Sequence, residues 1–147
     1  MAIFAGGSNF YGDTEMKNDF FNDENFVIGW DYDSARDLYN AVSSLKAGDI
    51  IYLKTVAPAA LRSIKVKGIG IITKSFIQCL IDDGLKISDI TKGEGLYVKM
   101  KWVVKSEFKI NIPDTEGKLN SIRASTFYEE YLPFVQHKII EKLFEAK

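Results

Sequence analysis

The chain has 147 residues, a length typical of one domain that buries about two-thirds of the surface of its unfolded chain. Hydrophobic residues make up 46% and aromatic residues 13%, a composition that excludes a mostly disordered chain. One cysteine, Cys79, and one histidine, His137, exclude a disulfide framework and a Cys/His metal cluster. We therefore expect a reducing, cytoplasmic location, no secretory signal and, because the apolar runs are short, no membrane partner.

Charge is distributed unevenly along the chain. Residues 1–50 carry a net charge of −6, residues 51–112 a net charge of +6, and residues 113–147 a net charge of −1. No acidic residue occurs between Lys54 and Ile81, whereas five basic residues do: Lys54, Arg62, Lys65, Lys67 and Lys74. This asymmetry predicts a basic groove in which these five side chains contact nucleic-acid phosphates. The alternative is that they are solvated lysines that keep the surface soluble.

The first half of the chain alternates irregular and regular patterns. Residues 1–25, rich in glycine and turn formers, predict an irregular aromatic arm that allows a short helical turn near Glu15–Phe21. The apolar run Phe26–Trp30 predicts a strand. Helical spacing of apolar residues predicts a helix over 34–46, and the run Asp49–Thr55 predicts a second strand.

The second half continues with strands and ends in a helix. Ile64–Ile72 predicts a third strand, in which Gly68 and Gly70 share one face and indicate a bulge or tight bend. Residues 76–95 are compatible with strand or helix. Leu96–Ile112 alternates, with lysines on one face and the side chains of Val98, Met100, Trp102 and Val104 on the other. An apolar stripe near the C-terminus predicts a helix that Pro133 either begins or kinks.

This order of elements predicts an α+β fold, in which a small, partly closed mixed β-barrel is flanked by helices. We expect a single domain over residues 1–147. Its parts are the arm over 1–25, the barrel core over 26–112 and a C-terminal helical segment over 113–147.

Motifs for catalysis, cofactors and metals are absent from the sequence. Gly68-x-Gly70 lacks the third glycine and the following helix of a dinucleotide-binding motif. Carboxylate pairs occur at Asp31/Asp33, Asp82/Asp83 and Glu129/Glu130, where turns or a helix surface predict solvated side chains. We therefore expect a protein that is not an enzyme and holds no cofactor and no metal.

Aromatic side chains are the more informative feature. Phe10 and Tyr11 lie in the arm, and Trp30 and Tyr32 lie where the first predicted strand ends. Aromatic rings in such positions can stack on a base, which contributes about 1–3 kcal/mol per base. Trp102 alternates with apolar residues and is expected in the core, whereas for Trp30 core and ligand-facing positions are both open.

Four segments together resemble a known family. The segments FVIGW, LKAGDIIYLKT, IKVKGIGIITKSF and LYVKMKWVV, in this order, resemble the EVE-like branch of the PUA superfamily, over about Phe26 to Val104. Such domains are similar to YTH domains and to the N-terminal specificity domains of McrB-type restriction subunits. The resemblance implies a five- or six-stranded partly closed barrel that binds a flipped-out modified base in an aromatic cage. The cage positions that match are Trp30, with Phe10 and Tyr11 from the arm. Asp31, as an acceptor for a base edge, and Tyr32, an aromatic ring at the strand end, complete the candidate ligand-binding residues.

The leading functional hypothesis is a non-catalytic reader of nucleic acid, most simply of DNA with a modified base, in restriction or defence. No motor motif occurs in the chain, so we expect either a standalone reader or a domain excised from a larger protein, with a motor or nuclease subunit as a further candidate partner. Two alternatives stay open. One is a binding protein for a free nucleotide or nucleotide signal, and the other is a protein-interaction domain, dimeric through the stripe on its C-terminal helix.

Overall fold

The computed structural model describes residues 1–10, 14–28, 36–55, 63–86, 97–115 and 127–146. Within these ranges the chain forms nine strands and four helices. The strands are β1 (Ile3–Gly6), β2 (Asn9–Phe10), β3 (Thr14–Glu15), β4 (Asn25–Val27), β5 (Ile50–Thr55), β6 (Ser63–Lys74), β7 (Tyr97–Val104), β8 (Phe108–Asn111) and β9 (Phe127–Glu129). The helices are α1 (Lys17–Asp23), α2 (Arg36–Ser43), α3 (Phe76–Asp82) and α4 (Pro133–Glu145).

Seven of the strands form one mixed sheet in the order β4-β7-β6-β5-β1-β9, with β8 paired to β6. β1 and β5 run parallel, and the other neighbours run antiparallel. β7 and β8 lie end to end along β6, because Ile69 pairs with Val104 and Val66 pairs with Phe108. The alternating segment Leu96–Ile112 is therefore two collinear strands.

Contact between the two edges of the sheet shows that it curls. Phe26 on β4 and Phe127 on β9 belong to strands at opposite ends of the strand order, yet their ring centroids are 5.7 Å apart. A flat sheet would separate strands five places apart by about 24 Å. The sheet is therefore a curled half-barrel in a mixed α+β fold, which confirms the predicted fold class and is consistent with the predicted partly closed barrel.

Helices cover both faces of the curled sheet. The inner face, on which Phe26 and Phe127 meet, is covered by side chains of α1, α2 and α3 that include Phe20, Val42 and Phe76. The outer face is covered by α4 through Val135 and Ile139. Successive residues of β5 alternate between these two hydrophobic cores, as the pleat of a strand requires.

β-Bulges change which side chains reach each face. Leu53 pairs with Gly68 and Lys54 pairs with Val66, so Lys67 is an extra residue in β6. A second register shift makes Val103 an extra residue in β7. Val104 consequently packs in the outer core, although Val98, Met100 and Trp102 face the inner core. The prediction of a shared face is wrong for Val104, because strict alternation holds only up to a bulge.

Close ring packing on β6 explains its two glycines. A Cβ atom at Gly70 would lie 2.8 Å from Cε3 of Trp102 and 3.0 Å from the carbonyl oxygen of Lys101. A Cβ atom at Gly68 would lie 2.7 Å from the ring of Phe21. Trp102 is buried, and its Nε1 donates a hydrogen bond to the carbonyl oxygen of Asn25 at 3.1 Å. The predictions of a bulge at these glycines and of a core Trp102 are both confirmed, because the register of β6 shifts next to Gly68 and next to Gly70.

Two predicted segments need correction. Residues 1–25 are not an irregular arm: β1 lies inside the main sheet between β5 and β9, and α1 packs on the inner core. The C-terminal segment contains β9 before its helix, and Pro133 begins α4 rather than kinking it. β1 and β9 are both short, and β1 pairs with a strand that begins 47 residues after it. No local pattern in the sequence therefore indicates these two strands.

Substitution of Gly70 by valine tests this packing. We expect Gly70→Val to lower the free energy of unfolding by about 1–3 kcal/mol, because the new side chain must displace the ring of Trp102 or the backbone of β7. Thermal or urea unfolding measures the change. Thr73→Val, at an exposed position of the same strand, is the matched control and should unfold close to wild type. Equal stability of the two variants would contradict the packing described.

Candidate nucleic-acid interface

The predicted aromatic cage is represented among the described residues by Phe10. Tyr11, Trp30, Asp31 and Tyr32 lie outside them. Phe10 packs partly buried against the inner core, with its ring edge-to-face to Phe20 at a centroid distance of 6.0 Å. The ring of Phe10 therefore packs beside the inner core. The aromatic cage remains a prediction.

The predicted phosphate-binding residues lie in different environments. Lys54 and Lys67 are each 5% exposed, whereas Lys65 and Lys74 are exposed near opposite ends of β6. Nine residues of extended strand separate Lys65 from Lys74 by about 30 Å. Arg62 lies outside the described residues. The structure therefore does not bring the four described lysines into one groove.

Lys67 is used in an internal ion pair. Its Nζ donates to Oε2 of Glu15 at 2.5 Å and to Oγ of Ser8 at 3.1 Å, and Ser8 donates in turn to Oε1 of Glu15. Burial raises the pKa of Glu15, but the hydrogen bonds from Lys67 and Ser8 outweigh it and hold the pKa below its usual value. The pair attaches the β2–β3 hairpin to the bulge of β6.

Lys54 belongs to a buried polar cluster on the outer face. Its Nζ lies 5.1 Å from the ring centroid of Tyr128, and the hydroxyl of Tyr52 donates to Oε1 of Glu130 at 2.5 Å. Burial lowers the pKa of Lys54 to about 8, although Glu130 opposes the shift, and burial raises the pKa of Glu130. The prediction that Glu130 is solvated is wrong, because Glu130 follows a strand and faces the core.

Lys74 lies at the other end of β6, in a region of mixed charge. Its Nζ is 2.5 Å from Oδ2 of Asp82, and hydrogen bonding to this carboxylate raises the pKa of Lys74. Lys99 is directly opposite Lys74 on β7, and its Nζ donates to the carbonyl oxygen of Asp23. Acidic groups of α3 therefore offset the positive charge at this end of the sheet.

An excess of positive charge occurs instead where β6 pairs with β8. Lys65 is directly opposite Lys109 in this ladder, so both side chains leave the same face. Nζ of Lys65 lies 3.0 Å from Oε2 of Glu107, and Nζ of Lys17, at the start of α1, lies 2.6 Å from Oε1. We call Lys17, Lys65 and Lys109, together with Glu107, the basic cluster.

The electrostatics of the basic cluster favour an added anion. Hydrogen bonds from Lys17 and Lys65 lower the pKa of Glu107 to about 2, so this carboxylate is ionised at neutral pH. The cluster nevertheless contains three positive charges and one negative charge. Like charges directly opposite in a sheet destabilise it, and a phosphate bound beside Lys65 and Lys109 would relieve their repulsion. The arrangement can therefore bind a phosphate at an exposed surface.

Sequence reasoning selected Lys65 but missed Lys17 and Lys109. Lys109 follows the alternation of the last predicted strand, which indicates an exposed side chain. Its register opposite Lys65, however, follows from pairing between distant segments. Lys17 lies 90 residues from Glu107, and that pairing has no local signal in the sequence.

Comparison with known proteins adds no family assignment: no family model matches the sequence, and no characterised protein matches it significantly. Over the described part of the chain, no group of three His, Cys, Asp or Glu side chains is arranged to hold a metal ion. Within the same ranges, no helix combines the length and hydrophobicity needed to cross a membrane.

The buried amine of Lys54 predicts a measurable pH dependence of stability. The pKa of about 8 in the folded protein lies below the usual lysine value of 10.5, so the unfolded chain binds more protons between these two values. A charged Lys54 lowers the free energy of unfolding. This effect is largest below pH 8 and disappears as the pH rises toward 10.5.

We therefore expect wild type to gain stability relative to Lys54→Met between pH 8 and pH 10, with a slope of up to about 1.4 kcal/mol per pH unit. Urea unfolding at a series of pH values measures the difference. Lys46→Met, at an exposed position, is the control. The difference in unfolding free energy between this variant and wild type should not change with pH. If the difference in unfolding free energy between wild type and Lys54→Met is also independent of pH, the buried position of this amine is contradicted.

Proposed function

We propose that the protein is a non-catalytic nucleic-acid-binding module that contacts the phosphate backbone through the basic cluster. The observation that carries this proposal is the placement of Lys65 directly opposite Lys109, with Lys17 adjacent through Glu107. Three ammonium groups on neighbouring elements match a ligand with regularly spaced negative charges. A net charge of −1 for the whole chain restricts nonspecific attraction to this local surface.

Two further observations support nucleic acid rather than another polyanion. The sheet is a curled half-barrel with mixed pairing, which agrees in outline with the fold implied by the sequence resemblance to the PUA superfamily. The segment with Trp30, Asp31 and Tyr32 follows directly after Ile28, which is buried in the inner core beside β4. We propose that this segment supplies the aromatic cage for a modified base, with DNA the leading substrate and a motor or nuclease subunit a further partner.

Paired lysine substitutions test the phosphate contacts. We expect Lys17→Ala with Lys65→Ala to weaken binding of a short duplex and to reduce the slope of log affinity against log salt by about two contacts. Fluorescence anisotropy at several salt concentrations measures both quantities. Each lysine that is removed leaves one phosphate without its contact, so one fewer counterion is released from the nucleic acid when the protein binds.

The matched control removes the same charge elsewhere. Lys74→Ala with Lys101→Ala takes two exposed lysines from the opposite end of β6 and the adjoining β7. This variant should retain the wild-type salt slope. If it loses the slope and the Lys17/Lys65 variant retains it, the interface lies at the other end of the sheet.

A separate variant tests the proposed base cage. Trp30→Ala should abolish the preference for a modified duplex over an unmodified one, because base stacking is lost, and should leave the salt slope unchanged. Thermal unfolding accompanies the binding measurement. If Trp30 is instead a core residue, the variant loses about 3–5 kcal/mol of stability and wild type shows no preference among modified duplexes.

A further inference from the structure

A cleft lies between β8 and α4, on the outer side of the sheet. Its volume is about 350 Å³, within the range of pockets that bind small ligands. One wall is β8, from Phe108 to Asn111, and the other is a face of α4 that begins at Phe134. Phe10, the described residue of the predicted aromatic cage, is not among the residues that line this cleft.

Aromatic rings and ammonium groups are paired inside the cleft. Nζ of Lys142 lies 5.0 Å from the ring centroid of Phe108, and Nζ of Lys138 lies 5.6 Å from the ring centroid of Phe134. The two lysines come from successive turns of α4 and therefore project from the same face of the helix. Lys109 lines the rim of the cleft, but its side chain leaves the face of β8 opposite to Phe108 and Ile110 and belongs to the basic cluster. The cleft thus presents aromatic carbon and positive charge together.

Carboxylates on α4 complete the lining. Glu141 and Glu145 lie on the cleft face of the helix. Oε2 of Glu145 is 3.5 Å from Nζ of Lys142, and Oε2 of Glu141 is 3.3 Å from Nε2 of His137. A carboxylate is an acceptor for hydroxyl groups, as in proteins where an acidic side chain binds the hydroxyls of a ribose.

These three kinds of group match the three parts of a nucleotide. We propose that the β8–α4 cleft is a binding site for a nucleoside phosphate, with the base against Phe108 and Phe134. Lys138 and Lys142 bind the phosphate, and Glu141 or Glu145 accepts hydrogen bonds from the sugar. The same chemistry is offered by a free mononucleotide and by the terminal nucleotide of a strand.

This site goes beyond the proposed function, because it requires neither a modified base nor contact with the basic cluster. The two surfaces share one residue, Lys109, since it both lines the cleft and lies opposite Lys65. Experiments on the cleft therefore leave Lys109 unchanged and use the two lysines of α4.

Isothermal titration calorimetry tests the site with AMP, adenosine and ribose 5-phosphate up to millimolar concentrations. We expect AMP to bind more tightly than either fragment, because both the rings and the ammonium groups contribute. Lys138→Ala with Lys142→Ala should weaken AMP binding at least tenfold. Phe134→Leu, which keeps an apolar side chain where Phe134 packs beside the outer core, should also weaken it.

The control variants separate this inference from the proposed function. Lys17→Ala with Lys65→Ala should bind AMP as wild type does, whatever it does to duplex binding. A short oligonucleotide with a 5′-phosphate, competed against AMP, shows whether a strand end enters the same cleft. Absence of AMP binding, or AMP binding that survives loss of both α4 lysines, overturns the inference even if duplex binding is confirmed.

Discussion

Two glycines on β6 set how closely aromatic rings pack into the curled sheet. The ring of Phe21 lies on Gly68 and the ring of Trp102 lies beside Gly70, at distances that exclude a Cβ atom. Phe21 is four residues after Lys17, which is about one helical turn. The packing of Phe21 on Gly68 therefore also determines the position of the first turn of α1. Burial of aromatic surface thereby brings the ammonium group of Lys17 within 2.6 Å of Glu107. The basic cluster depends on this close packing.

Burial also divides the described lysines into two groups. Lys67 donates hydrogen bonds to Glu15 and Ser8, and Lys54 lies beside Glu130. Both amines therefore interact with groups inside the protein. Buried charges are tolerated only with such partners, because desolvation of an isolated ammonium costs several kcal/mol. Lys65 and Lys109 face outward in directly opposite positions and remain accessible to an external anion. Position in the fold, more than the density of lysines in the sequence, therefore decides which of them can bind phosphate.

The sequence predicts those features that depend on neighbouring residues. Apolar runs indicate β5 and β6, alternation indicates the collinear β7 and β8, and helical spacing indicates α2 and α4. The pair Gly68 and Gly70 indicates the irregularity of β6. It fails where distant segments or bulges decide the outcome. β1 is recognisable only by its pairing with β5, Val104 changes face after the bulge at Val103, and the partner of Lys67 comes from β3. The list of candidate lysines fails for the same reason, since neither burial nor register is local.

Chemical footprinting of lysines with and without nucleic acid tests the central claim directly, that positive charge is concentrated where β6 pairs with β8. The protein is acylated in low salt, free and with an excess of a short duplex, and modification is quantified by mass spectrometry. The account predicts strong protection of Lys17, Lys65 and Lys109, with little change at Lys74 and Lys101. Protection of Lys74 and Lys101 without protection of Lys17, Lys65 and Lys109, or an unchanged pattern with the duplex bound, would contradict it.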